Sequence, residues 1–596
     1  MKTLQDLLRI ARICAMLLIA IAATLSRAPS RADSNAQNAA GQGGSQGDSK
    51  PNVMIVLVDD MGLMDTSVPF LIDKDGAAVE HPLNRWYRTP NMERLAKLGV
   101  RLSEFYAMSV CSPSRISLMS GQNSARHRTT TWINPDSNNR GPFGPPAWNW
   151  QGLDASSVTL ARMMQQAGYR TIHVGKGHFG PRDSIGSDPR NLGFDINVGG
   201  SSIGQPGSYY GTKSFGAEAP KPTHAVPGLD TYHGQDIFLT EALTREAKKH
   251  VQESVRQGKP FFLNFAHYAV HAPFQADPRF PTEDPTGKFS KQALAFASLV
   301  QGMDDSLGKM LDCFDELGIA ENTLVFFLGD NGSDAPLGDP HAVASSAPLR
   351  GKKGSHYEGG MRVPFIAAWA KPAKNQWQDR LPTPSGQIRK GWGAIYDLFP
   401  TIAELVQFEI PSGHVVDGGS LKDIFSSSEP AWIDREFLMH FPHAPHRSNY
   451  FTVFRQGNWK LIYHYLPEPS SPRMQLFDLG ADPYEQTDLA ETRPEVRDKL
   501  LIPMRKKLSE QRALYPVDQN GQAIRTDPWD RLPVCPAVSV NSVKPNRLRF
   551  DAIRGIDFQS VLPFPSAGQR ALDVTYLRTG WKPIPRASVS STEPYR

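Results

Sequence analysis

The sequence predicts an α/β fold, with a central, mostly parallel sheet covered by helices and a smaller C-terminal α+β domain carrying an antiparallel sheet. Three observations predict it. From Pro51 onward, short apolar runs alternate with amphipathic helical stretches, the order in which parallel strands and their crossover helices succeed one another. The strand-like runs are apolar at nearly every position rather than at alternate ones, as strands buried on both faces require. Each long helical stretch also stops at a glycine, the residue that most readily takes the left-handed turn at a helix C-terminus.

The first strand is "NVMIVLVDD", which ends in Asp59 and Asp60. A helical pattern from Ser157 to Ala167 stops at Gly168 and gives way to a strand in "YRTIHVGKGH", with Lys176 and His178 at its end. The helix through "LTEALTREAKKHVQESVRQ" stops at Gly258, before "PFFLNFAHYAVHAP" with His271. The helix through "ALAFASLVQGMDDSLGKMLDCFDEL" stops at Gly318, before "TLVFFLGDNG" with Asp330 and Asn331. Ligands of such sheets bind beyond the carboxyl ends of the strands, so these four polar sets are expected to converge. After the helical "AIYDLFPTIAELVQF" the pattern changes to strands in "FLMHF", "YFTVFRQGNWKLIYHYL" and "MQLFDLGADPYEQTDLA", with a bend at Gly457 and Asn458, then a helix from Pro494 to Arg512. The tail from Tyr515 is Pro-rich and aperiodic, and is expected to lie on the surface.

Lys2, Arg9 and Arg12 precede the apolar run "ICAMLLIAIAATL", with small residues around Ala28 and Ala32, the pattern of a cleaved secretory signal. The run is short for a bilayer span, so a periplasmic or secreted protein without a stable membrane anchor is expected. A net charge of +5 over 596 residues, with no Lys/Arg block, gives no support to nucleic-acid binding. With Cys14 in the signal, Cys111, Cys313 and Cys535 remain, an odd set that points to a free or altered thiol rather than a disulfide framework. Cys313 lies on the apolar face of a helical pattern and reads as core.

That leaves Cys111, in "SVCSPSRISLMSG". Ser112 reads as an N-cap and Pro113 as the first helical residue, which puts Cys111 at the positive end of a helix dipole with Arg115 one turn in, a place for an anion. A capped structural helix with a buried thiol is the other reading. Asp59, Asp60, Asp330 and Asn331 are oxygen donors suited to a hard cation, Ca²⁺ or less readily Mg²⁺, rather than zinc. Taken singly, Asp-Asn-Gly is equally a turn and Asp-Asp a solvated strand end.

The stretch Cys111-Ser112-Pro113-Ser114-Arg115, followed by Leu118, Ser120 and Gly121, resembles the signature of the type I sulfatases, members of the alkaline phosphatase superfamily, whose Cys-x-Pro-x-Arg core directs oxidation of the cysteine to Cα-formylglycine. The likeness runs on through "PNVMIVLVDDMG", "GKGHFG", "HAP", "GDNG", "GKKGSHYEGGMRVP", "DLFPTI", "GNWKLI" and "LFDLGADPYEQTDLA". It implies an alkaline-phosphatase-like sandwich, maturation by a formylglycine-generating enzyme, and hydrolysis of sulfate monoesters, with sulfated glycans as the expected substrates. Asp59, Asp60, Asp330 and Asn331 match the Ca²⁺ ligands, with the modified Cys111 completing the sphere. Arg115, Lys176, His178, His271 and Lys353 match the residues around the aldehyde hydrate and the sulfate. In that mechanism one hydroxyl of the hydrate attacks sulfur and the other later loses its proton, so that the aldehyde returns. Positive groups hold the sulfate oxygens, His178 serves as base and His271 protonates the leaving oxygen.

The implied organisation is a signal peptide over 1–32, a flexible linker over 33–50, a catalytic domain over 51–425, the smaller domain over 426–515 and the extension over 516–596. Gly177 stands where the family often has tryptophan, which would open the pocket wall. Lys353 is preferred to Lys352 because it directly precedes "GSHYEGG", and His271 to His267 because it completes a His-x-Pro pattern. Phe143, Trp148 and Trp150 offer a sugar-stacking platform or, alternatively, pack against their own domain. His127, Arg128 and the run "HFPHAPHRS" are further candidates for the pocket border. The competing functions are a phosphatase, phosphodiesterase or phosphonate hydrolase of the same superfamily, and a non-catalytic glycan-binding protein of the same fold.

Overall fold

A computed structural model describes residues 50–220, 223–283, 289–337, 346–427, 435–444, 446–469 and 471–525. The expected signal peptide, nearly all of the linker, Cys14, Cys535 and most of the C-terminal extension lie outside the described residues. Among the described residues, no helix is long and apolar enough to cross a membrane.

Eight strands build the main sheet: β1 (Asn52–Val58), β2 (Val100–Tyr106), β3 (Arg170–Gly175), β4 (Ile196–Val198), β5 (Phe261–His267), β6 (Thr323–Gly329), β7 (Phe365–Trp369) and β8 (Gln387–Ala394). Their spatial order is β8-β2-β7-β6-β1-β5-β3-β4. Every ladder is parallel except the two made by β7, which runs antiparallel to β2 and β6. β1 shows why its sequence is apolar throughout. Val53, Ile55 and Leu57 enter the core on one face of the sheet, and Met54, Val56 and Val58 the core on the other. Helices α1 (Pro90–Leu98), α4 (Leu239–Arg256) and α5 (Lys291–Glu316) cover the second face. Helices α2 (Cys111–Ser120), α3 (Leu160–Gln166) and α6 (Leu398–Val406) cover the first. Gly168, Gly258 and Gly318 follow their helices with φ of 87°, 62° and 67°, the left-handed turn expected of them. Cys313 is fully buried in α5, as its helical spacing implied.

A four-stranded antiparallel meander follows: β9 (Glu436–Phe441), β10 (Phe451–Gln456), β11 (Trp459–His464) and β12 (Met474–Asp478), with Gly457 and Asn458 forming the bend between β10 and β11. Its alternation is strict. Phe437, Met439, Val453, Ile462 and Phe477 join the first core, whereas Leu438, Phe454, Leu461 and Leu476 pack against Leu500, Met504 and Leu508 of α7 (Pro494–Glu510).

The meander is also pinned to the main-sheet region by buried charge. Lys460 on β11, 1% exposed, lies 2.9 Å from Glu358 and 2.7 Å from Glu485. Removing its ammonium in Lys460→Met would leave buried Glu485 without an ion-pair partner among the described residues and Glu358 with only Arg362, 3.8 Å away, and is expected to cost about 3–5 kcal/mol of stability. Denaturant unfolding checks this, and a loss below about 1 kcal/mol would show the pair to be dispensable.

Candidate active site

β6, β1, β5 and β3 are consecutive in the sheet and parallel, so their carboxyl ends lie side by side. The four polar sets predicted to converge are carried there: Asp330 and Asn331 after β6, Asp59 and Asp60 after β1, His271 beyond β5, and Lys176 and His178 after β3. β2 brings α2 to the same edge of the sheet, and the loop holding Lys353 reaches over it.

Helix α2 begins two residues earlier than predicted. Cys111 is its first residue and the N-cap is the extended Val110, which has no side-chain capping bond. The hydroxyl of Ser112, expected to cap, instead accepts a 3.0 Å bond from the amide of Ile133. Pro113 is therefore third in the helix, where its missing N–H costs nothing because the first four are unpaired anyway. Gly121 ends the helix at φ 67°. Cys111 thus sits in the first turn, at the positive end of the dipole.

Beneath Cys111 lies a buried charge cluster. One oxygen from each of Asp59, Asp60 and Asp330 lies within 4.8 Å of the others. Arg115 lies 2.8 Å from Asp330 and 3.6 Å from Asp59, Lys176 2.6 Å from Asp59, and Lys353 2.7 Å from Asp60. Three acids thus face three cations. Burial raises the Asp330 carboxyl to about 6, with the Asp59 charge adding to the rise. Burial works the same way on Asp60, but the Lys353 ammonium and His271 overcome it and hold that carboxyl low. Asn331 donates through Nδ2 to Asp60 at 2.9 Å and to the Gly332 carbonyl at 3.0 Å. Its Oδ1, like Asp59 Oδ1, is buried without a hydrogen-bond donor. Two orphaned oxygens beside three clustered carboxylates fit a hard cation, which would supply what protein donors do not.

The two histidines differ in tautomer. His178 Nε2 lies 2.7 Å from the Ile133 carbonyl and must donate to it, so Nδ1, 3.4 Å from Cys111 Sγ, presents its lone pair to the sulfur. Burial, reinforced by Lys176, keeps His178 neutral. His271 donates from Nδ1 to the Ala272 carbonyl at 2.8 Å, and its Nε2 lies 3.5 Å from Asp60. Burial, then Lys353, lowers it to about 4. Asp60 and His178 both hold left-handed backbone, φ 62° and 60°, a strain non-glycine residues accept only where surrounding contacts fix them.

A cavity of about 380 Å³ opens above this cluster, lined by Cys111, His178, His271 and Lys353 among the predicted residues. Arg115, Lys176 and the four oxygen donors are at most 1% exposed and lie outside its lining. Of the neighbours weighed against the chosen residues, Lys352 bonds the Ala335 carbonyl and His267 is buried beside Phe265, and neither lines the cavity.

The proposed aromatic platform is not at the cavity. Trp148 is buried against His443 and Phe143 packs on Tyr450, both in the connection between β9 and β10, while Trp150 donates to the Asn134 carbonyl, so none of the three lines the cavity. Nor does Gly177 open the wall: a Cβ there would lie 3.0 Å from the Ser201 carbonyl and 3.5 Å from Pro189. His127 is half-buried and hydrogen-bonded to Ser117, and neither it nor Arg128 reaches the cavity. The lining the sequence did not reveal includes Trp132, Asn134, Asp136, Gln205 and His224. Among the described residues of "HFPHAPHRS", His446 alone contributes.

Comparison with known proteins agrees with this arrangement. A family model described as Sulfatase matches residues 51–408. N-acetylgalactosamine-6-sulfatase of Mus musculus is 28% identical over 486 residues, 76% of this chain and 84% of that one. Steryl-sulfatase of Homo sapiens is 26% identical over 464 residues, 66% of this chain and 73% of that one. The crystal structure of Ps i-CgsB in complex with k-i-k-neocarrahexaose superposes with a TM-score of 0.61 at 23% identity, over 80% of this chain and 96% of that one, and has the same alkaline-phosphatase-like fold. A family match across most of the chain, on a fold whose central strand ends gather clustered carboxylates, lysines and histidines beneath a helix-start cysteine, places the chain in the sulfatase family, the enzymes that hydrolyse sulfate esters.

Proposed function

We propose that this sulfatase removes sulfate from a sulfated carbohydrate, with Cys111 oxidised to formylglycine as the source of the nucleophile and Ca²⁺ held by Asp59, Asp60, Asp330 and Asn331. The observation that carries the reading is the position of Cys111. It is the first residue of a helix, opens on the cavity, and has the lone pair of a neutral histidine 3.4 Å from its sulfur. The hydrated aldehyde would supply a hydroxyl nucleophile at that place, and the cation would supply positive charge against the sulfate oxygens.

The chain's own residues have distinct parts. His178, its proton fixed on Nε2, accepts a proton through Nδ1 from a hydroxyl at position 111. Lys353 reaches the cavity and offers the ester a direct cationic contact. Arg115 and Lys176 act from behind the wall, holding the carboxylates in place and adding positive potential. Three acids balance three cations, so a bound divalent ion leaves the site net positive and attracts the singly negative sulfate ester. Oxygen-only donors favour Ca²⁺ over transition metals.

The names of the N-acetylgalactosamine-6-sulfatase relative and the neocarrahexaose complex, with the polar lining and its indole, Trp132, support a sugar as the alcohol. The signal-like N-terminus supports a periplasmic or secreted enzyme, matured by a formylglycine-generating enzyme. Mass spectrometry of the Cys111 peptide from active protein tests the modification, with sulfate and phosphate release measured on the 4-nitrophenyl esters. Formylglycine with sulfate release is expected. An unmodified thiol in active enzyme, or a preference for the phosphate ester, would overturn the reading.

Asp330→Ala is expected to lower bound Ca²⁺ and activity together, metal affinity falling by about tenfold or more, because an anionic ligand is lost from a hard-cation site. Elemental analysis at fixed free Ca²⁺ measures this. Full occupancy in a folded variant would remove Asp330 from the ligand set.

A further inference from the structure

The connection between β9 and β10 sends the side chain of His446 into the cavity that holds Cys111, His178, His271 and Lys353. We propose that His446 is a substrate-contact residue that donates a hydrogen bond from Nε2 to a sugar hydroxyl flanking the sulfated position, and so helps determine which sulfated sugars are turned over. This deepens the carbohydrate reading above and rests on it.

The seat of the ring is built. Gly354, directly after Lys353, holds φ 77°, and a Cβ on it would lie 2.0 Å from His446 Nδ1, so the imidazole rests on the bare α-carbon of a glycine that no other residue could replace without moving it. Arg447 fastens the same turn, donating to the Lys353 carbonyl at 3.0 Å and pairing with Asp334 at 2.6 Å. The ring is therefore held in register with the lysine at the cavity.

Its hydrogen bonding is incomplete in a way that points outward. The other histidines of the run are satisfied within the protein: His440 by Thr452 and the Leu514 carbonyl, His443 by Thr130 and the Arg140 carbonyl. His446 Nδ1 is buried with no partner. An N–H there would press on Gly354 without an acceptor, so the hydrogen belongs on Nε2, which makes no hydrogen bond to the described residues. Burial, then the charges of Lys353 and Arg447, lowers its pKa to about 3, so the ring is a neutral donor and not a cation competing for the sulfate itself. A neutral donor beside a polar lining matches an uncharged hydroxyl.

The test compares His446→Ala and His446→Gln with native enzyme on 4-nitrophenyl sulfate and on a panel of monosulfated galactose and N-acetylgalactosamine. For the sugar sulfate that native enzyme cleaves best, kcat/KM of His446→Ala is expected to fall about tenfold further than for 4-nitrophenyl sulfate, mostly through KM, because one hydrogen bond to the sugar is lost. Glutamine, whose amide also donates, should recover part of the difference. Equal losses on both esters would make His446 a mere support for the Lys353 loop and overturn the proposal, as would no loss on the sugar. Native enzyme that cleaves 4-nitrophenyl sulfate but none of the panel would overturn the carbohydrate reading and this inference with it.

Discussion

Cys111→Ala is expected to lower turnover of 4-nitrophenyl sulfate by about ten-thousandfold or more, the scale of losing a covalent nucleophile, while the protein stays folded. The two halves of this expectation have separate grounds. No serine or threonine lines the cavity among the described residues, so no hydroxyl stands ready to replace the lost one. Native His178 would keep its bond to the Ile133 carbonyl, and Lys353 its pairing with Asp60, so the surrounding machinery would be present but without a group to attack sulfur. On the folding side, Cys111 is 4% exposed and, among the described residues, its sulfur has the single polar contact with His178. Exchanging it for a methyl group is expected to cost about 1 kcal/mol. Steady-state release of nitrophenol and a circular-dichroism melt read the two quantities independently. Turnover near the native rate in the variant would exclude position 111 as the nucleophile. A collapsed melting transition would instead identify the thiol as structural.

The part of the fold legible in the sequence was the part buried on both faces. β1, β3, β5 and β6 occupy the middle of the sheet, and their apolar runs announce them. The edge strand β8 reads "QIRKGWGA", half of it exposed or partly exposed, and β4 has three residues, so neither carries a pattern strong enough to find. β2, "VRLSEFY", is interrupted by Arg101 and by Glu104, which pairs with buried Arg455 from the meander at 2.6 Å, a partner known only from the fold. The charged cluster was legible for a related reason. In a parallel sheet the position just past a strand fixes where a side chain is delivered, so finding the four central strands located their polar ends. The cavity rim had no such rule. Trp132, Gln205, His224 and His446 come from irregular segments far apart in the chain, brought together by contacts that leave no periodic trace. The helix start was misplaced by two residues because the Ser112 hydroxyl, a good local cap, is claimed by the distant amide of Ile133. That same segment then receives His178, so a local preference gave way to a tertiary bond that orients a site histidine.

His271→Ala is expected to separate substrates by the basicity of their leaving groups. An alkoxide leaving from a sugar is a strong base and needs a proton in the transition state, whereas nitrophenolate departs with little help. His271 is placed for that donation. Its Nδ1 is committed to the Ala272 carbonyl, it lines the cavity with Cys111, and its Nε2 is 3.5 Å from Asp60 on the near side of the charge cluster. In the free protein the ring is neutral, since burial and Lys353 lower it to about 4, and an anionic ester bound beside it shifts the balance back toward the protonated form. The variant should therefore lose about a hundredfold to ten-thousandfold in kcat/KM on a sugar sulfate, the usual worth of general-acid assistance, and far less on 4-nitrophenyl sulfate. The second-order constants are the right comparison, because a ring that only helped bind the sulfate group would lower both by the same factor. Across a series of aryl sulfates the loss should also grow as the leaving phenol becomes less acidic. Equal losses throughout, with no dependence on the leaving group, would make His271 a sulfate-binding residue and assign the proton to another group in the cavity.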